Sequence, residues 1–382
     1  MDATQPTTRD LPGMARPDLL CFSLLRWDFV FQRPQHLLTR ALVTMRVLFW
    51  EEPVWTDEAR PRLDTITSSE GVVVLRPYVP HGFEEEGSLR GLLDGMLHDL
   101  RVTDPVLWFY TPNALPFTEH LSGSMTVYDC MDELSAFAGA DPTLPLREQA
   151  LLRRADLVFT GGHSLFEVKA RQHPRVYAFP SGVEVAHFEP ARAALPDPVD
   201  QAALPHPRAG FYGVIDERLD YALLAAVADL RPGVQFVLVG PTAKVDEADL
   251  PRRPNLHYLG GRQYSELPAY VANWQVALMP FAINATTRFI SPTKTPEYLA
   301  AGLPVVSTPV PDVVRTYGDQ PGVTIAATIA AFAEAIDHAL ALDPATWRPA
   351  VDAMLAGQSW DSTWARMRAL MHAHAGMTEA AD

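Results

Sequence analysis

Short apolar runs alternate with longer amphipathic stretches along most of the chain. The runs are apolar at nearly every position, which is typical of strands buried on both faces of a parallel sheet. The stretches between them repeat apolar residues at helical spacing, as in Pro34–Val43 and Tyr221–Leu230. This alternation predicts an α/β fold with doubly wound sheets. The predicted strands are Leu19–Leu25, Val47–Trp50, Val72–Leu75, Val106–Tyr110, Met125–Tyr128, Leu157–Thr160, Val176–Phe179, Gly210–Ile215, Gln235–Gly240, Leu256–Leu259, Val276–Pro280, Val305–Thr308 and Val323–Ala326.

The strand–helix alternation occurs in two series, separated by a segment without strand character. That segment, residues 186–208, is rich in alanine and proline and predicts a linker. We therefore predict two Rossmann-like domains, at residues 18–185 and 209–345, which face each other across a cleft. Residues 346–376 predict a helix that crosses back to the first domain, because its tryptophans need a surface to bury against. Residues 1–17 predict a disordered tail.

The composition narrows the classes of function. The 382 residues carry 31 basic and 46 acidic side chains, a formal net charge of −15, which argues against a nucleic-acid binder. Two cysteines, Cys21 and Cys130, argue against a disulfide framework. No apolar run has the length of a membrane span, and no signal peptide is visible. We predict a cytoplasmic protein and leave peripheral membrane association open.

The stretch that begins at Phe289 carries the most informative pattern. Ser291 and Pro292 predict an N-cap and a first helical residue, and Gly302 predicts the helix end. Free backbone N–H groups at the helix start, together with Lys294, would suit a diphosphate. A capped helix with a solvated lysine is the plainer interpretation of the same residues.

A second candidate cation, Arg218, follows the first strand of the second domain. Its guanidinium could bind two phosphate oxygens, or it could pair with Asp216 or Asp220. Glycines also follow the next two strands of this domain. They would leave the backbone open to contact with a nucleotide base, or they are ordinary turn residues. The candidate donor-binding residues are Gly213, Gly240, Gly260, Gly261, Arg262, Ser291, Pro292, Thr293, Thr295 and Glu297.

The first domain offers a candidate acceptor side. The loop after its first strand combines aromatic rings with planar polar groups, which suit sugar faces and hydroxyls. A later strand ends in carboxylates, where Asp132 could act as a base or serve with its neighbours as helix caps. Residues proposed for the acceptor or sugar are Trp27, Asp28, Gln32, Arg33, His36, Asp129, Glu133 and His163. The candidate catalytic residues are Arg218, Lys294 and Asp132, and we predict no metal and no organic cofactor.

Several motifs together resemble GT-B glycosyltransferases of the glycogen-synthase-like, family-four-like class. The segments RWDFVFQRPQHLLTR and YDCMDE resemble a bacterial subgroup that makes polysaccharide or teichuronic acid. The resemblance to the wider class covers about residues 150–345. The segments that carry it are Pro180–Phe188, Val237–Gly240, Leu256–Gly260 and Pro296–Val306.

This resemblance implies hexosyl transfer from a nucleoside diphosphate sugar, with UDP-sugar favoured, to a saccharide or lipid-linked acceptor. It also implies retention of configuration without a metal. Glu297 matches the class's donor-ribose glutamate, whereas Phe289 replaces the glutamate that normally contacts the donor sugar. Two alternatives stay open: a catalytically silent sugar-nucleotide-binding partner of a polysaccharide assembly complex, and a GT-B sugar-nucleotide epimerase.

Overall fold

The first lobe is built on a largely parallel sheet. The computed structural model describes residues 16–291 and 293–379, so most of the predicted tail 1–17 lies outside the described residues. Within them the order of the first sheet is β3-β5-β2-β1-β6-β7-β8-β9, with β4 paired to β5. Its strands are β1 (Asp18–Phe22), β2 (Arg46–Trp50), β3 (Val54–Thr56), β4 (Arg62–Thr67), β5 (Val73–Pro80), β6 (Val106–Phe109), β7 (Met125–Cys130), β8 (Leu157–Thr160) and β9 (Val176–Ala178).

Two of these strands were not predicted. β3 has three residues, and β4 is half-exposed and runs antiparallel to β5 at the edge of the sheet. Neither contains the continuous apolar run that identifies a strand buried on both faces. The central strands β6 and β8, by contrast, are buried at every position, as their sequences predicted.

The second lobe contains a parallel sheet, and all six strands predicted for it are present. The order is β12-β11-β10-β13-β14-β15. The prediction of an α/β fold with parallel sheets in two domains is confirmed. The strands are β10 (Arg208–Tyr212), β11 (Gln235–Val239), β12 (Leu256–Tyr258), β13 (Val276–Met279), β14 (Val305–Ser307) and β15 (Val323–Ile325).

Helices pack against both sheets. In α7 the Asp220 carboxylate accepts a hydrogen bond from the Leu223 N–H at 2.9 Å, so the N-cap fixes the predicted start at Tyr221. The helices are α1 (Arg33–Ala41), α2 (Glu85–Asp99), α3 (Leu115–Thr118), α4 (Leu144–Arg154), α5 (His163–Lys169), α6 (Val185–Phe188), α7 (Tyr221–Leu230), α8 (Leu267–Val271), α9 (Lys294–Ala300), α10 (Pro311–Tyr317), α11 (Ile329–Ala341), α12 (Pro344–Leu355) and α13 (Trp360–Glu379).

The last two helices connect the lobes. Trp347 of α12 is buried in the core of the second lobe, whereas Trp360 and Trp364 of α13 are buried in the core of the first. The predicted crossing back to the first lobe is therefore confirmed. The prediction of one helix over 346–376 is wrong, because the chain leaves helical geometry around Gly357 and turns before α13 begins.

The predicted linker is folded against the second lobe. α6 and a short 3₁₀ turn occupy its first part, and residues 186–207 contain no strand. Arg192 donates to the Ala300 carbonyl at 2.7 Å and pairs with Asp352 at 2.6 Å, which holds the segment in place. None of the helices in the described part of the chain combines the length and apolar character that crossing a bilayer requires.

Candidate active site in the interlobe cleft

A cavity of about 160 Å³ lies between the lobes, at the carboxyl ends of the strands. Loops that follow β7 and β8 line it from the first lobe, and loops that follow β10, β11 and β13 line it from the second. This is the location predicted from two facing parallel sheets. The predicted residues on its wall are Gln32, Arg33, Asp132, Gly213, Arg218, Gly240, Arg262, Ser291, Thr293 and Lys294.

Three cations line the second-lobe side, and Glu297 and Asp216 orient two of them, Lys294 and Arg218. The Lys294 ammonium lies 3.3 Å from the Glu297 carboxylate and 5.0 Å from the centre of the Tyr212 ring. The Asp216 carboxylate holds the Arg218 guanidinium bidentately, at 2.9 Å from Nε and 2.7 Å from Nη2. The side chains of Lys294 and Arg218 are 20% and 22% exposed, so a ligand can reach both. The alternative of an Asp216 ion pair is thus present, and it orients Arg218 on the cavity wall.

The helix start beside Lys294 differs from the prediction. α9 begins at Lys294 with Thr293 as N-cap, so the prediction of Ser291 as the cap is wrong; Pro292 lies outside the described residues. Thr295 is fully buried and lies off the cavity wall. Since α9 has only seven residues, its backbone dipole adds little to the positive charge of the side chains at this wall.

Glycines let two strand exits approach each other closely. Gly213 has φ +143°, and a Cβ on Gly240 would lie 1.7 Å from the Gly213 carbonyl oxygen. The Gly240 N–H donates to the Gly260 carbonyl at 2.9 Å. Gly213 and Gly240 line the cavity, whereas Gly260 and Gly261 do not, because they lie beyond Gly240. Any side chain at Gly240 would force these loops apart.

Glu297 supports the wall from behind. It is only 4% exposed, and its carboxylate accepts a hydrogen bond from the Tyr212 hydroxyl at 2.6 Å. Burial raises the pKa of that hydroxyl, so Tyr212 stays a donor. Glu297 therefore holds Tyr212 and Lys294 in place and does not line the cavity. A direct contact between Glu297 and a ribose stays a prediction.

Asp132 lines the cavity from the first lobe. Burial raises the pKa of its carboxyl from 3.8 to about 6; Arg218 opposes this shift, and Asp216 adds to it. The carboxyl therefore titrates close to neutral pH, where a group can both take up and release a proton. Arg218 and Asp216 belong to the second lobe, so the two lobes jointly set this pKa.

Arg33 and Asp129 form a buried ion pair. The Asp129 carboxylate accepts from Arg33 Nη2 at 2.8 Å and from Nε at 3.0 Å, and the Phe179 carbonyl accepts from Nη1 at 2.8 Å. Asp129 is completely buried and Arg33 is 3% exposed. The structure does not bring Asp129 to the cavity, because Arg33 lies between them and uses its oxygens. Gln32 precedes α1 as its N-cap.

Three more predicted acceptor residues lie off the cavity wall. Trp27 is a core residue, packed edge-on against Phe49 at 5.0 Å. His36 is 1% exposed and stacks on Trp360 of α13 at 4.6 Å, and burial lowers the pKa of its imidazole. Asp28 is exposed and reaches Arg76 at 3.7 Å. Packing places these side chains away from the cavity. The spacing of the residues in the sequence does not predict that packing.

Glu133 and His163 also lie outside the cavity. Glu133 pairs with Lys169 at 2.9 Å, and the same buried ammonium pairs with Glu148 at 2.6 Å. This network anchors the segment directly after Asp132. His163 is the first residue of α5, and burial, followed by Arg315, lowers the pKa of its imidazole.

Aromatic residues that sequence reasoning did not assign to the site join the two lobes at the cavity. Phe31 of the first lobe stacks on Tyr264 of the second, with ring centres 4.7 Å apart. Both residues, together with Tyr212, line the cavity. Tyr212 is the last residue of β10, and this position at a strand end was the signal that the sequence offered for it. Nearby, Arg262 donates to the Tyr270 hydroxyl at 2.5 Å, so its guanidinium is already bound.

Phe289 lies at the interface between the lobes. It ends the 3₁₀ turn Thr287–Phe289 and packs against the first-lobe core. The Arg288 guanidinium lies 5.3 Å from its ring centre. Phe289 does not line the cavity. Its ring instead forms part of the apolar contact between the two lobes. Within residues 16–291 and 293–379, no group of three or more His, Cys, Asp or Glu side chains is arranged to hold a metal ion.

Comparison with known proteins assigns the second lobe. Residues 206–341 match the family model described as glycosyl transferases group 1. This match spans the second lobe, which is therefore similar to group 1 glycosyltransferase domains. The chain that carries this lobe is 27% identical over 225 residues to TuaH of Bacillus subtilis (strain 168), which is named for teichuronic acid biosynthesis. The aligned region covers 55% of this chain and 56% of TuaH, so it spans little more than half of that relative.

Solved structures are similar to the fold of the whole chain and not only to the second lobe. Sucrose-phosphate synthase from Thermosynechococcus elongatus has a TM-score of 0.72 and 18% identity, covering 96% of this chain and all of its own. An α,α-trehalose-phosphate synthase (UDP-forming) from Burkholderia vietnamiensis has a TM-score of 0.65 and 16% identity, covering 95% of this chain and all of its own. The resemblance to GT-B glycosyltransferases inferred from the motifs is therefore confirmed.

Proposed function

We propose that the protein is a glycosyltransferase that moves a hexosyl group from a nucleoside diphosphate sugar to a hydroxyl acceptor. The observation that carries this proposal is the pair of cations Lys294 and Arg218 on one wall of the interlobe cavity, with Asp132 on the other. The similarity of the second lobe to group 1 glycosyltransferase domains supports it. A saccharide or lipid-linked acceptor in cell-surface polysaccharide or glycoconjugate synthesis completes the proposal, supported by the likeness to TuaH.

The reaction breaks the bond between the sugar's anomeric carbon and the diphosphate oxygen. That oxygen leaves with the bonding electrons, the acceptor oxygen forms the new bond to the anomeric carbon, and the acceptor loses its proton. Negative charge therefore grows on the diphosphate, and fixed cations that face it lower the barrier. Lys294 and Arg218 supply this stabilisation, and Glu297 and Asp216 hold them in position.

The second lobe binds the donor, and the first lobe binds the acceptor. UDP is the favoured nucleotide, supported by the UDP-forming relative. Two side-chain cations replace a divalent metal at the diphosphate, and transfer retains the anomeric configuration, as the class resemblance implies. The protein acts in the cytoplasm.

A donor screen tests the proposal. Thermal shift with UDP-, GDP-, dTDP- and ADP-sugars, in the presence of EDTA, is expected to identify one nucleotide that raises the melting temperature. Nucleotide release should follow when acceptor is added. Binding without release with any acceptor would favour the silent partner, and conversion of the donor sugar without acceptor would favour the epimerase. If no nucleotide sugar binds, the proposal fails.

The pH dependence of transfer reports on Asp132. Its carboxylate is expected to take up the acceptor proton, so the rate should rise with pH through about 6, the pKa of this carboxyl. The Asp132→Asn variant should lose this acidic limb and most of its activity. The measurement is kcat/KM against pH for both proteins with one donor and one acceptor.

A stability measurement checks that the Asp132 pKa is raised in the folded protein. A carboxyl whose pKa is higher in the folded state binds its proton more tightly there, so its ionisation lowers stability as the pH rises from 3.8 towards about 6. Asp132→Asn should therefore be more stable than the parent protein at neutral pH, and the difference should shrink in acid. A less stable variant at neutral pH would contradict this assignment.

A further inference from the structure

One segment of the first lobe reaches across the cleft to the second lobe. This segment, residues 134–140, is called the strap below; it directly follows Glu133 and leads to α4. Both of its ends are fixed to the first lobe. Glu133 pairs with Lys169 at 2.9 Å before the strap, and Asp141 pairs with Arg147 at 3.1 Å after it. The middle of the strap, between these two anchors, makes the contacts with the second lobe.

Two hydrogen bonds join the strap to the second lobe. The Thr286 hydroxyl donates to the Ala136 carbonyl at 2.7 Å, and the Ala138 N–H donates to the Glu217 carboxylate at 3.2 Å. Thr286 lies in the loop after β13, and Glu217 lies in the loop after β10. Other residues of both loops line the interlobe cavity. The strap therefore binds the same loops that form the cavity wall.

Phe137 makes the third contact between the strap and the second lobe. Its ring centre lies 4.7 Å from the Lys244 ammonium and 5.9 Å from the Arg218 guanidinium carbon. Both distances are within the roughly 6 Å over which a ring face attracts a cation. Lys244 also has φ +58°, a left-handed backbone conformation that is uncommon for residues other than glycine. Such conformations persist where the surroundings support them, and they cluster at ligand clamps and switch segments.

The interlobe cavity is small for a nucleotide sugar. Its volume of about 160 Å³ lies below the roughly 300–1,000 Å³ that is typical of ligand sites. A donor that carries a base, a ribose, a diphosphate and a sugar therefore needs the lobes to move apart before it can enter. That movement must break contacts that bridge the lobes beside the cavity.

The strap contacts are of a kind that breaks readily. Two hydrogen bonds and the cation–ring contacts of one phenylalanine each stabilise a protein only modestly. Trp360 and Trp364 of α13, by contrast, bury large rings in the core of the first lobe and hold the connection between the lobes in place. The side of the cleft that carries the strap is therefore easier to open than the side that carries α13.

We propose that the strap is a latch, which opens to admit the donor and closes over it, and that Phe137 is the positioning residue on which Lys244 and Arg218 dock at closure. Asp132 precedes the strap and interacts electrostatically with both cations. Closure therefore brings Asp132 of the first lobe and Arg218 of the second into place together. The latch movement does not depend on the reaction, whereas its effect on transfer rests on the proposed function.

Hydrogen exchange of the full-length chain without ligand, followed by mass spectrometry, tests the latch. Lys244→Gln removes the positive charge from the second lobe. This variant should raise the exchange rate of residues 134–140 about two- to fivefold, the change in the opening equilibrium when one exposed cation–ring contact is lost. Lys244→Arg keeps the charge and should exchange like the parent protein. A strap held only by its own lobe would not respond to either change.

Variants of Phe137 test the same contact from the first lobe. Phe137→Leu should raise exchange of the strap to a similar extent, and Phe137→Tyr, which keeps the ring, should not. Phe83→Leu is the matched control, because Phe83 is a first-lobe phenylalanine in the turn after β5 and is 45% exposed. Unchanged strap exchange in Lys244→Gln or in Phe137→Leu, or an equal increase in Phe83→Leu, would overturn the inference.

The pH profile of kcat/KM links the latch to transfer. Burial is the largest cause of the raised pKa of Asp132, so a strap that is open more often should move the acidic limb to lower pH. The charged groups that face this carboxyl are Arg218, Asp216, Arg33 and Lys244. Phe137→Leu should show the shift together with a two- to fivefold lower kcat/KM, and Phe137→Tyr should restore both.

An acidic limb that stays in place while strap exchange rises would overturn the link between the strap and Asp132. The exchange experiment needs no donor and no acceptor. A failed donor screen would therefore remove the proposed function and leave the exchange result standing, so the two failures are distinguishable.

Discussion

Replacement of Lys294 by alanine is expected to lower kcat by about 10²–10³-fold, the usual effect of removing one preorganised donor from a developing oxyanion. The Lys294 ammonium faces the cavity and is oriented by Glu297 at 3.3 Å. It acts on charge that appears only as the donor bond breaks, so the loss should fall on kcat more than on KM. Steady-state release of nucleotide measures both constants.

Two further variants serve as controls, one for the charge at position 294 and one for the loss of a cation elsewhere. Lys294→Arg keeps the positive charge and should retain much more activity than Lys294→Ala. Arg253→Ala removes a cation whose exposed partner is Asp229, so it should leave kcat unchanged. Unchanged melting temperatures would show that all three proteins fold. A Lys294→Ala protein that is folded and fully active would remove the cation from the mechanism.

The second large effect concerns stability. Asp129→Ala should lower the free energy of unfolding by about 3–5 kcal/mol, because it leaves the Arg33 guanidinium buried without its partner. Both carboxylate oxygens of Asp129 are bonded to that guanidinium, and Asp129 has no exposed surface. Urea denaturation followed by tryptophan fluorescence measures the change, since Trp108 is buried in the same lobe.

Two comparison variants show whether the loss of stability comes from the unpaired buried charge. The double variant Arg33→Met with Asp129→Leu removes both charges together and should be less destabilised than Asp129→Ala alone. Arg231→Ala breaks an exposed pair with Asp337 and should cost less than about 1 kcal/mol. If Asp129→Ala unfolds at the same urea concentration as Arg231→Ala, the buried pair does not stabilise the lobe.

The sequence predicts the buried strands well for a physical reason. A strand covered on both faces must be apolar throughout, so β6, β8 and β13 are visible as continuous runs. Edge strands escape this rule, because one of their faces meets solvent. β4 is held by its pairing with β5 rather than by burial, and no local pattern distinguishes it from a loop.

In the candidate site, the sequence predicts the residues that follow strand ends, but it does not predict the buried ion pairs. Lys294, Arg218 and Asp132 follow strand ends, and the geometry of facing parallel sheets brings such positions together. The pairing of Arg33 with Asp129 joins residues 96 positions apart, and that of Lys169 with Glu133 joins residues 36 apart. Chain spacing cannot show which polar residues become buried partners. Asp129 and Glu133 were therefore predicted on the wall, although other side chains bind them.

The packing of α13 affects the order in which the chain can fold during synthesis. The sheet of the first lobe leaves the ribosome early, yet Trp360, Trp364 and Met367 fill its core from the far end of the chain. Until those residues emerge, an apolar surface on the nascent first lobe stays uncovered. That lobe begins folding first and completes its core last, so translation must reach α13 before the first lobe is protected from aggregation.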